Sequence, residues 1–441
     1  MPERGLRGLG ALPLELFDEI LCSIETIRDL ASFVTTSRFV YRRFEDCKAF
    51  ILFRVLRNEL GPALADARFN YALWDDPERD PQVCRFPGDY RGMAGVYREL
   101  LLGDGANRFP TVAELNQLSC TLHTVNYLAD VYAEARLRAF RAMSKRCPVP
   151  LRTAAAAPLS LTERRRVVRA FYRRQLVSYA MPLVFVQSLD PRSWPDDEVA
   201  RISNTSQHQG WDLGLFGTLE PWEMEQVDEA NLFITQLCLV LVRHGEKHET
   251  TVHMYEGAMF DRLFSYLECL VTYMRTHPSL ADLALDVVST PEWWKKGWRD
   301  IPYSGRYHSG LYDFDLPFPI VLCPLEPAWQ RKRARILPDP SRQERETSPS
   351  AKMVFEGDDP DSIERAPFGW VDALAERYVD WFGQALDSIE WLPEDRRAPT
   401  EHVFLWRCAG FAIWDRRRVE ALKKLNYFKM VVRTGFILGL Q

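Results

Sequence analysis

The chain has 441 residues, of which 46% are apolar and 27% are charged, with a formal net charge of −5 at pH 7. This length accommodates two or three domains and an ample core, and the nearly balanced charge gives no reason to expect nucleic acid or a membrane as a partner. The nine cysteines include no C-x-x-C pair, which predicts free thiols in a reducing compartment rather than a disulfide framework or a zinc ribbon.

Neither the N-terminal residues nor the most apolar stretch of the chain indicates secretion or a membrane-spanning helix. Residues 1–10 read as a flexible tail and lack the apolar run of a secretory signal. The most apolar stretch, residues 232–242, is short and contains Thr235 and Gln236, so we expect no membrane-spanning helix. The sequence therefore predicts an intracellular protein, located in the cytoplasm, the nucleus or both.

Residues 12–24 predict an amphipathic helix. Leu12, Leu16, Ile20 and Ile24 recur every four residues and form one apolar stripe, with the acidic residues of the segment off it. Pro13 suits the first turn of this helix, where its missing N–H would be unpaired in any case.

A second and a third helix are expected before residue 61. Thr26, with Asp29 three residues later, is typical of a capped helix start. The buried face of that second helix would be formed by Ile27, Leu30 and Val34. Ser37 can cap the third helix, which Gly61 and Pro62 end, because glycine tolerates the left-handed conformation and proline cannot continue a helix.

This three-helix pattern resembles the F-box, the short module by which substrate receptors dock onto the adaptor of cullin–RING ubiquitin ligases. The matching residues are Leu12-Pro13, Glu15-Leu16, Ile20-Leu21, Arg28-Asp29-Leu30, Val34 and Ser37-Arg38. Two positions differ from the family pattern. The proline that often follows the first helix is absent, and Phe39 and Tyr41 stand where a tryptophan is usual.

The resemblance implies a substrate-recruiting subunit that performs no catalysis itself and needs no metal or cofactor. The adaptor would be bound by apolar side chains at Leu12, Pro13, Leu16, Ile20, Leu21, Leu30 and Val34. Of these, Leu12, Pro13 and Leu16 are expected to be the most accessible. The alternative is a helical scaffold with no ligase link, whose first helices simply pack on its own body.

The rest of the chain predicts an all-α protein with one irregular part. Apolar residues at helical spacing predict helices over residues 115–143, 161–181, 222–243, 254–277, 370–389 and 401–427. Residues 291–325 are rich in aromatic residues, proline and glycine and predict ordered coil or short strands. We expect an F-box-like module over residues 11–62, a helical body over residues 63–337 that binds the protein substrate, a disordered loop over residues 338–367, and C-terminal helices over residues 368–441.

Two later phrases resemble segments of large fungal F-box-like proteins of unassigned substrate. They are residues 219–223, ahead of a long predicted helix, and residues 410–416. This resemblance implies an all-helical body and says nothing about chemistry. No period of 20–50 residues repeats along the chain, so leucine-rich or propeller repeats are not predicted.

Several polar and aromatic clusters favour structural roles. His244, His248 and His253 are interpreted as a solvated helix end rather than a metal site. Three tryptophans, Trp293, Trp294 and Trp298, are interpreted as core rather than as an interface. The sequence contains no phosphate-binding loop, nucleophile elbow or zinc-protease motif. Two clusters of basic residues could each have a structural or a functional role.

The first basic cluster lies on the helix predicted over residues 161–181. It contains Arg164, Arg165, Arg166, Arg169, Arg173 and Arg174. These arginines are expected to form a solvated helix face, with phosphate or acidic-partner binding as the alternative. The second cluster, Arg331–Arg335, is a candidate nuclear import signal.

Overall fold

The structure, a computed structural model, describes residues 12–74, 96–97, 99–101, 104–141, 148–180, 221–245, 266–289, 367–369, 410 and 412–425. This part is 84% helical and contains no strand. The predicted all-α class is therefore confirmed. The tail, residues 291–325, the segment Arg331–Arg335 and nearly all of the predicted disordered loop lie outside the described residues.

Twelve α-helices occur in the described part of the chain, besides short helical pieces at residues 96–97, 99–101 and 368–369. They are α1 (Leu14–Ser23), α2 (Ile27–Val34), α3 (Arg38–Asp46), α4 (Lys48–Leu60), α5 (Ala63–Trp74), α6 (Val112–Arg141), α7 (Val149–Ala155), α8 (Leu161–Ala180), α9 (Pro221–Gly245), α10 (Leu267–Thr276), α11 (Pro278–Val288) and α12 (Arg416–Lys424). A short 3₁₀ turn, Asp104–Asn107, precedes α6.

The helices α1 to α3 form a small unit, called the head here, with its own apolar core. That core contains Phe17, Leu21, Leu30, Val34, Val40, Ile51 and Val55. In the predicted apolar stripe of α1, Leu16 is exposed and Leu12, Ile20 and Ile24 are half-buried, so other residues form the buried face of this helix. Phe17 and Leu21 are fully buried, whereas Leu16, four residues before Ile20, is exposed.

Both predicted caps of the head are present. The Thr26 hydroxyl accepts a hydrogen bond from the Asp29 N–H at 3.0 Å, and the Ser37 hydroxyl accepts one from the Val40 N–H at 3.3 Å. The predicted single third helix is instead two helices, α3 and α4. They are separated at Cys47, whose φ of −123° and ψ of 20° are not helical.

The break at Cys47 gives α4 a direction in which it can bury two faces. Ile51 and Val55 belong to the head core. The residues of the other face, Phe53, Leu56 and Leu60, belong to the large core of the body. The head is therefore attached to the body through a shared helix, and Gly61, with a φ of +52°, ends that helix as predicted.

The body is built around α8, which packs against both α5 and α9. The helices predicted over residues 115–143, 161–181 and 222–243 are confirmed as α6, α8 and α9. Of the helix predicted over residues 254–277, the described part is α10. Of the helix predicted over residues 401–427, the described part contains a turn at Gly410, whose φ is +73°, and the helix α12 from Arg416.

None of the described helices combines the length and the apolar composition that crossing a bilayer requires.

Candidate partner-docking surface

The head exposes apolar side chains along the start of α1 and on α3. Leu14 and Leu16 each keep 47% of their surface exposed, and Pro13 beside them is exposed. On α3, Phe39 and Tyr41 are 40% and 51% exposed. Exposed apolar side chains are typical of protein-binding surfaces, so we call these five residues the head surface.

The first turn of α1 explains why these side chains face outward. Pro13 precedes the helix, and its carbonyl accepts a hydrogen bond from the Phe17 N–H at 3.1 Å. Phe17 then points into the head core, as does Leu21 four residues later. Leu16 is about 100° away from Phe17 around the helix axis and therefore lies outside the buried face.

The seven residues predicted to bind a partner divide into three classes. Pro13 and Leu16 are exposed, and Leu12 and Ile20 are half-buried. The remaining three lie in the head core, namely Leu21, Leu30 and Val34. These three side chains hold the head together and do not reach its surface.

Three exposed residues were missed as partner contacts by the sequence reasoning. Leu14 stands between Leu12 and Leu16 and falls outside the four-residue period of the predicted stripe of α1. Phe39 and Tyr41 carry a signal, since they stand where the F-box pattern has a tryptophan. The Phe39 ring meets the buried Phe17 ring edge-on, with centroids 5.2 Å apart, so Phe39 packs against α1 while it stays partly exposed.

An ion pair fixes α1 relative to α3. The Arg43 guanidinium donates to both carboxylate oxygens of Asp18, with 2.7 Å between Nε and Oδ1. This hydrogen bonding raises the pKa of Arg43. Two-point arginine–carboxylate pairs constrain orientation as well as distance, so the head surface is held in one arrangement.

The head is also bonded to the body at the end of α4. Asn58 Nδ2 donates to the carbonyls of Cys22 and Ile24, at 2.7 and 3.0 Å, and so caps the end of α1. The neighbouring Glu59 accepts from the Ile27 N–H of α2 and from Asn126 of α6, both at 2.7 Å. These bonds set the position of the head against the body.

The arginines of α8 do not form the solvated face that the sequence predicted. Four of them are 5% exposed or less: Arg166, Arg169, Arg173 and Arg174. Carboxylates that are distant in sequence meet the charges of Arg166, Arg169 and Arg173, such as Asp66 of α5 and Glu223 of α9. Periodicity could not reveal this arrangement, because the partners are brought together only by the tertiary fold.

Asp66 is the centre of the buried cluster. Its Oδ1 lies 2.9 Å from Arg173 Nε and accepts a hydrogen bond from the Tyr97 hydroxyl. Its Oδ2 lies 3.9 Å from Arg169 Nε. Burial raises the pKa of Tyr97, so the hydroxyl stays protonated and remains a donor. The cluster ties α5 to α8 and α9.

Two further buried arginines attach the C-terminal segment. Arg418 contacts both carboxylate oxygens of Glu163, at 2.9 and 2.8 Å. Arg166 Nη1 lies 2.7 Å from Asp415 Oδ1 and donates to the Ile413 carbonyl at 2.9 Å. Trp414 stands between Ile413 and Asp415 and is 1% exposed, so it is a packing residue.

Among the described residues, no group of three or more histidine, cysteine, aspartate or glutamate side chains is placed to hold a metal ion. His244 is half-buried at the end of α9, and His248 and His253 lie outside the described residues.

Comparison with known proteins adds no relative to this picture. No protein-family model, no curated protein and no solved structure matches the chain.

Proposed function

We propose that the chain is a substrate-recruiting subunit of an F-box-type cullin–RING ubiquitin ligase. The head surface binds the ligase adaptor, and the helical body holds a protein substrate. The subunit contributes no chemical step and acts by raising the concentration of substrate near the transferring enzyme.

One observation carries this proposal. Leu14 and Leu16 are each 47% exposed in a helical unit whose own core is complete without them. The F-box pattern in the sequence begins at the adjacent Leu12-Pro13 pair. Exposed apolar side chains on a rigid, anchored unit are favourable for binding, because little conformational entropy is lost when the partner docks.

The alternative is a helical scaffold without a ligase link. The hydrogen bonds of Asn58 and Glu59 favour it, since they integrate the head into the body rather than leaving it a separate module. The burial of Leu21, Leu30 and Val34 in the head core is equally consistent with a structural role.

The two functions are separated by a double change in the head surface, Pro13→Ala with Leu16→Asp. A carboxylate placed in a desolvated apolar contact lacks a partner and is costly, so adaptor binding should be lost. The matched control is Leu161→Asp, which alters a 49% exposed leucine at the start of α8. Under the proposal this control binds the adaptor like the unchanged chain, and both variants keep its melting temperature.

Equal adaptor affinity in the double variant would contradict the docking surface. A double variant that unfolds would place Leu16 in the core and favour the scaffold.

A further inference from the structure

The third face of α4, which packs on neither core, carries an aromatic ring followed by two arginines. Phe50, Arg54 and Arg57 stand four and three residues apart and therefore lie in one row along the helix. Phe50 is 50% exposed, and both arginines are exposed. We call these three residues the α4 row.

The body adds a third guanidinium at the C-terminal end of this row. Arg165 of α8 lies beside Gly61, with its Nε 3.5 Å from the place where a Cβ on that glycine would stand. Its Nη2 donates to the Asn58 carbonyl at 3.4 Å, which holds the side chain against the end of α4. Three positive charges therefore follow one another toward Gly61.

An exposed apolar rim lies beside the other end. The Phe109 ring contacts the Phe53 ring edge-on at 5.5 Å and is itself 52% exposed. Phe53 follows Phe50 by three residues on α4, so the exposed Phe109 ring lies against the helical turn next to the exposed Phe50 ring. Val112, three residues after Phe109, is 68% exposed. The row is thus apolar at its start and basic toward its end.

Arg54 and Arg57 of the α4 row differ from most arginines of the body in their ion pairing with carboxylates. Among the described residues, neither Arg54 nor Arg57 forms an ion pair, whereas Arg68, Arg136 and Arg173 each pair with a carboxylate. The nearest acid of α4, Glu59, is occupied by Ile27 and Asn126. Asp130 of α6 is occupied by Arg164 at 2.6 Å.

We propose that the α4 row binds an acidic peptide segment of a protein partner, with an aromatic residue near its N- or C-terminal end and carboxylates after or before it. The charge complementarity selects carboxylates, and the exposed rings select the aromatic residue. The row from Phe50 to Gly61 is about 16 Å long, which an extended peptide of about five residues spans. A net charge of −5 on the whole chain disfavours nucleic acid as the occupant.

The α4 row shares no residue with the head surface. Under the proposed function it would recognise the substrate, and that assignment rests on the proposed function. Peptide binding itself needs no adaptor, so the two proposals fail independently.

The test is fluorescence anisotropy of the full chain with a labelled five-residue peptide made of one phenylalanine and four alternating aspartates and glutamates. The variant Arg54→Gln with Arg57→Gln should weaken binding about tenfold or more, because two charge-assisted contacts are lost. The control, Arg28→Gln with Arg42→Gln, removes the same charge from exposed positions on α2 and α3 and should bind like the unchanged chain. Phe50→Ala should lower the affinity for the phenylalanine-containing peptide more than the affinity for a peptide with alanine at that position.

Four results would overturn the proposal: no saturable binding to the unchanged chain, equal losses in the arginine pair and its control, equal binding of the alanine peptide, or binding of a serine-phosphorylated peptide alone. Melting temperatures of all variants identify any that unfold. For such a variant, the measurement is repeated with Arg54→Lys and Arg57→Lys, which keep the charge and should retain most of the affinity.

Discussion

Glu59 joins the two parts of the molecule through Asn126. One carboxylate oxygen accepts from Asn126 Nδ2 at 2.7 Å, and the other accepts from the Ile27 N–H at the start of α2, also at 2.7 Å. A carboxylate at a helix N-terminus satisfies a donor that has no partner within the helix and interacts favourably with the helix dipole. One side chain of α4 therefore stabilises the head and its attachment to the body.

Glu59→Ala should lower the free energy of unfolding by about 1–3 kcal/mol, because it leaves the Ile27 N–H and Asn126 without their acceptor. Urea denaturation followed by circular dichroism measures the loss. The control is Glu45→Ala, which removes an exposed partner of Lys48 at 3.4 Å and should change stability by less than about 0.5 kcal/mol. If Glu59→Ala and Asn126→Ala are simply additive in a double-mutant cycle, the bridge carries no coupling.

Asp66→Asn should be among the most destabilising single changes in the body. It leaves the buried Arg169 and Arg173 without the central carboxylate, and breaking a buried pair typically costs about 3–5 kcal/mol. Asp130→Asn breaks the exposed pair with Arg164 and should cost less than about 1 kcal/mol. Thermal unfolding of both variants compares them, and equal losses would show that the buried cluster is not a main determinant of stability.

Two glycines give a matched test of the C-terminal packing. Gly410 has a φ of +73°, and an added Cβ would lie 2.8 Å from the Tyr132 hydroxyl and 3.2 Å from the Trp414 ring. Gly410→Ala should therefore destabilise by about 2–4 kcal/mol through strain and overlap. Gly61→Ala also strains the backbone but meets its nearest neighbour only at 3.5 Å, so its cost should be about 1–2 kcal/mol. Calorimetric melting distinguishes the two, and an equal shift would argue against close packing at Gly410.

Burial raises the pKa of Glu268 in the first turn of α10. A carboxyl whose pKa is raised by folding loses stabilisation as the pH rises through the folded pKa, so the charged form disfavours the folded state at neutral pH. Glu268→Gln should therefore melt about 1–3 °C higher than the unchanged chain at pH 7. That advantage should shrink as the pH approaches about 4, where the unfolded carboxyl also becomes protonated. A difference independent of pH would assign the effect to something other than charge.

The sequence predicted local structure better than tertiary partners. The caps at Thr26 and Ser37 could be predicted from the sequence, because each capping hydrogen bond joins residues only three positions apart. The division at Cys47 was not readable, since it depends on the two cores that α4 faces. The four-residue stripe of α1 did not show that Phe17, next to Leu16, is buried, because helical spacing alone does not say which side of α1 meets the core formed with α2, α3 and α4.

For the candidate surfaces too, the sequence indicated local features but not the tertiary contacts that bury a side chain. The F-box pattern directed attention to Pro13 and Leu16, which are exposed, but it could not separate them from Leu21 and Leu30, which hold the head together. Burial of the α8 arginines was unpredictable, because an arginine-rich helix face is ordinarily solvated unless distant carboxylates converge on it. Asp66 lies about a hundred residues before the arginines that it meets.

The central claim is adaptor binding by the head surface, and direct titration of the full chain with the purified adaptor of a cullin–RING ligase tests it. Calorimetry should give a saturable one-to-one isotherm at micromolar concentration. The heat-capacity change should be negative, because exposed apolar surface including Leu14 and Leu16 is removed from water. The absence of any binding at that concentration, by a chain that melts cooperatively, would contradict the ligase assignment and leave the helical scaffold.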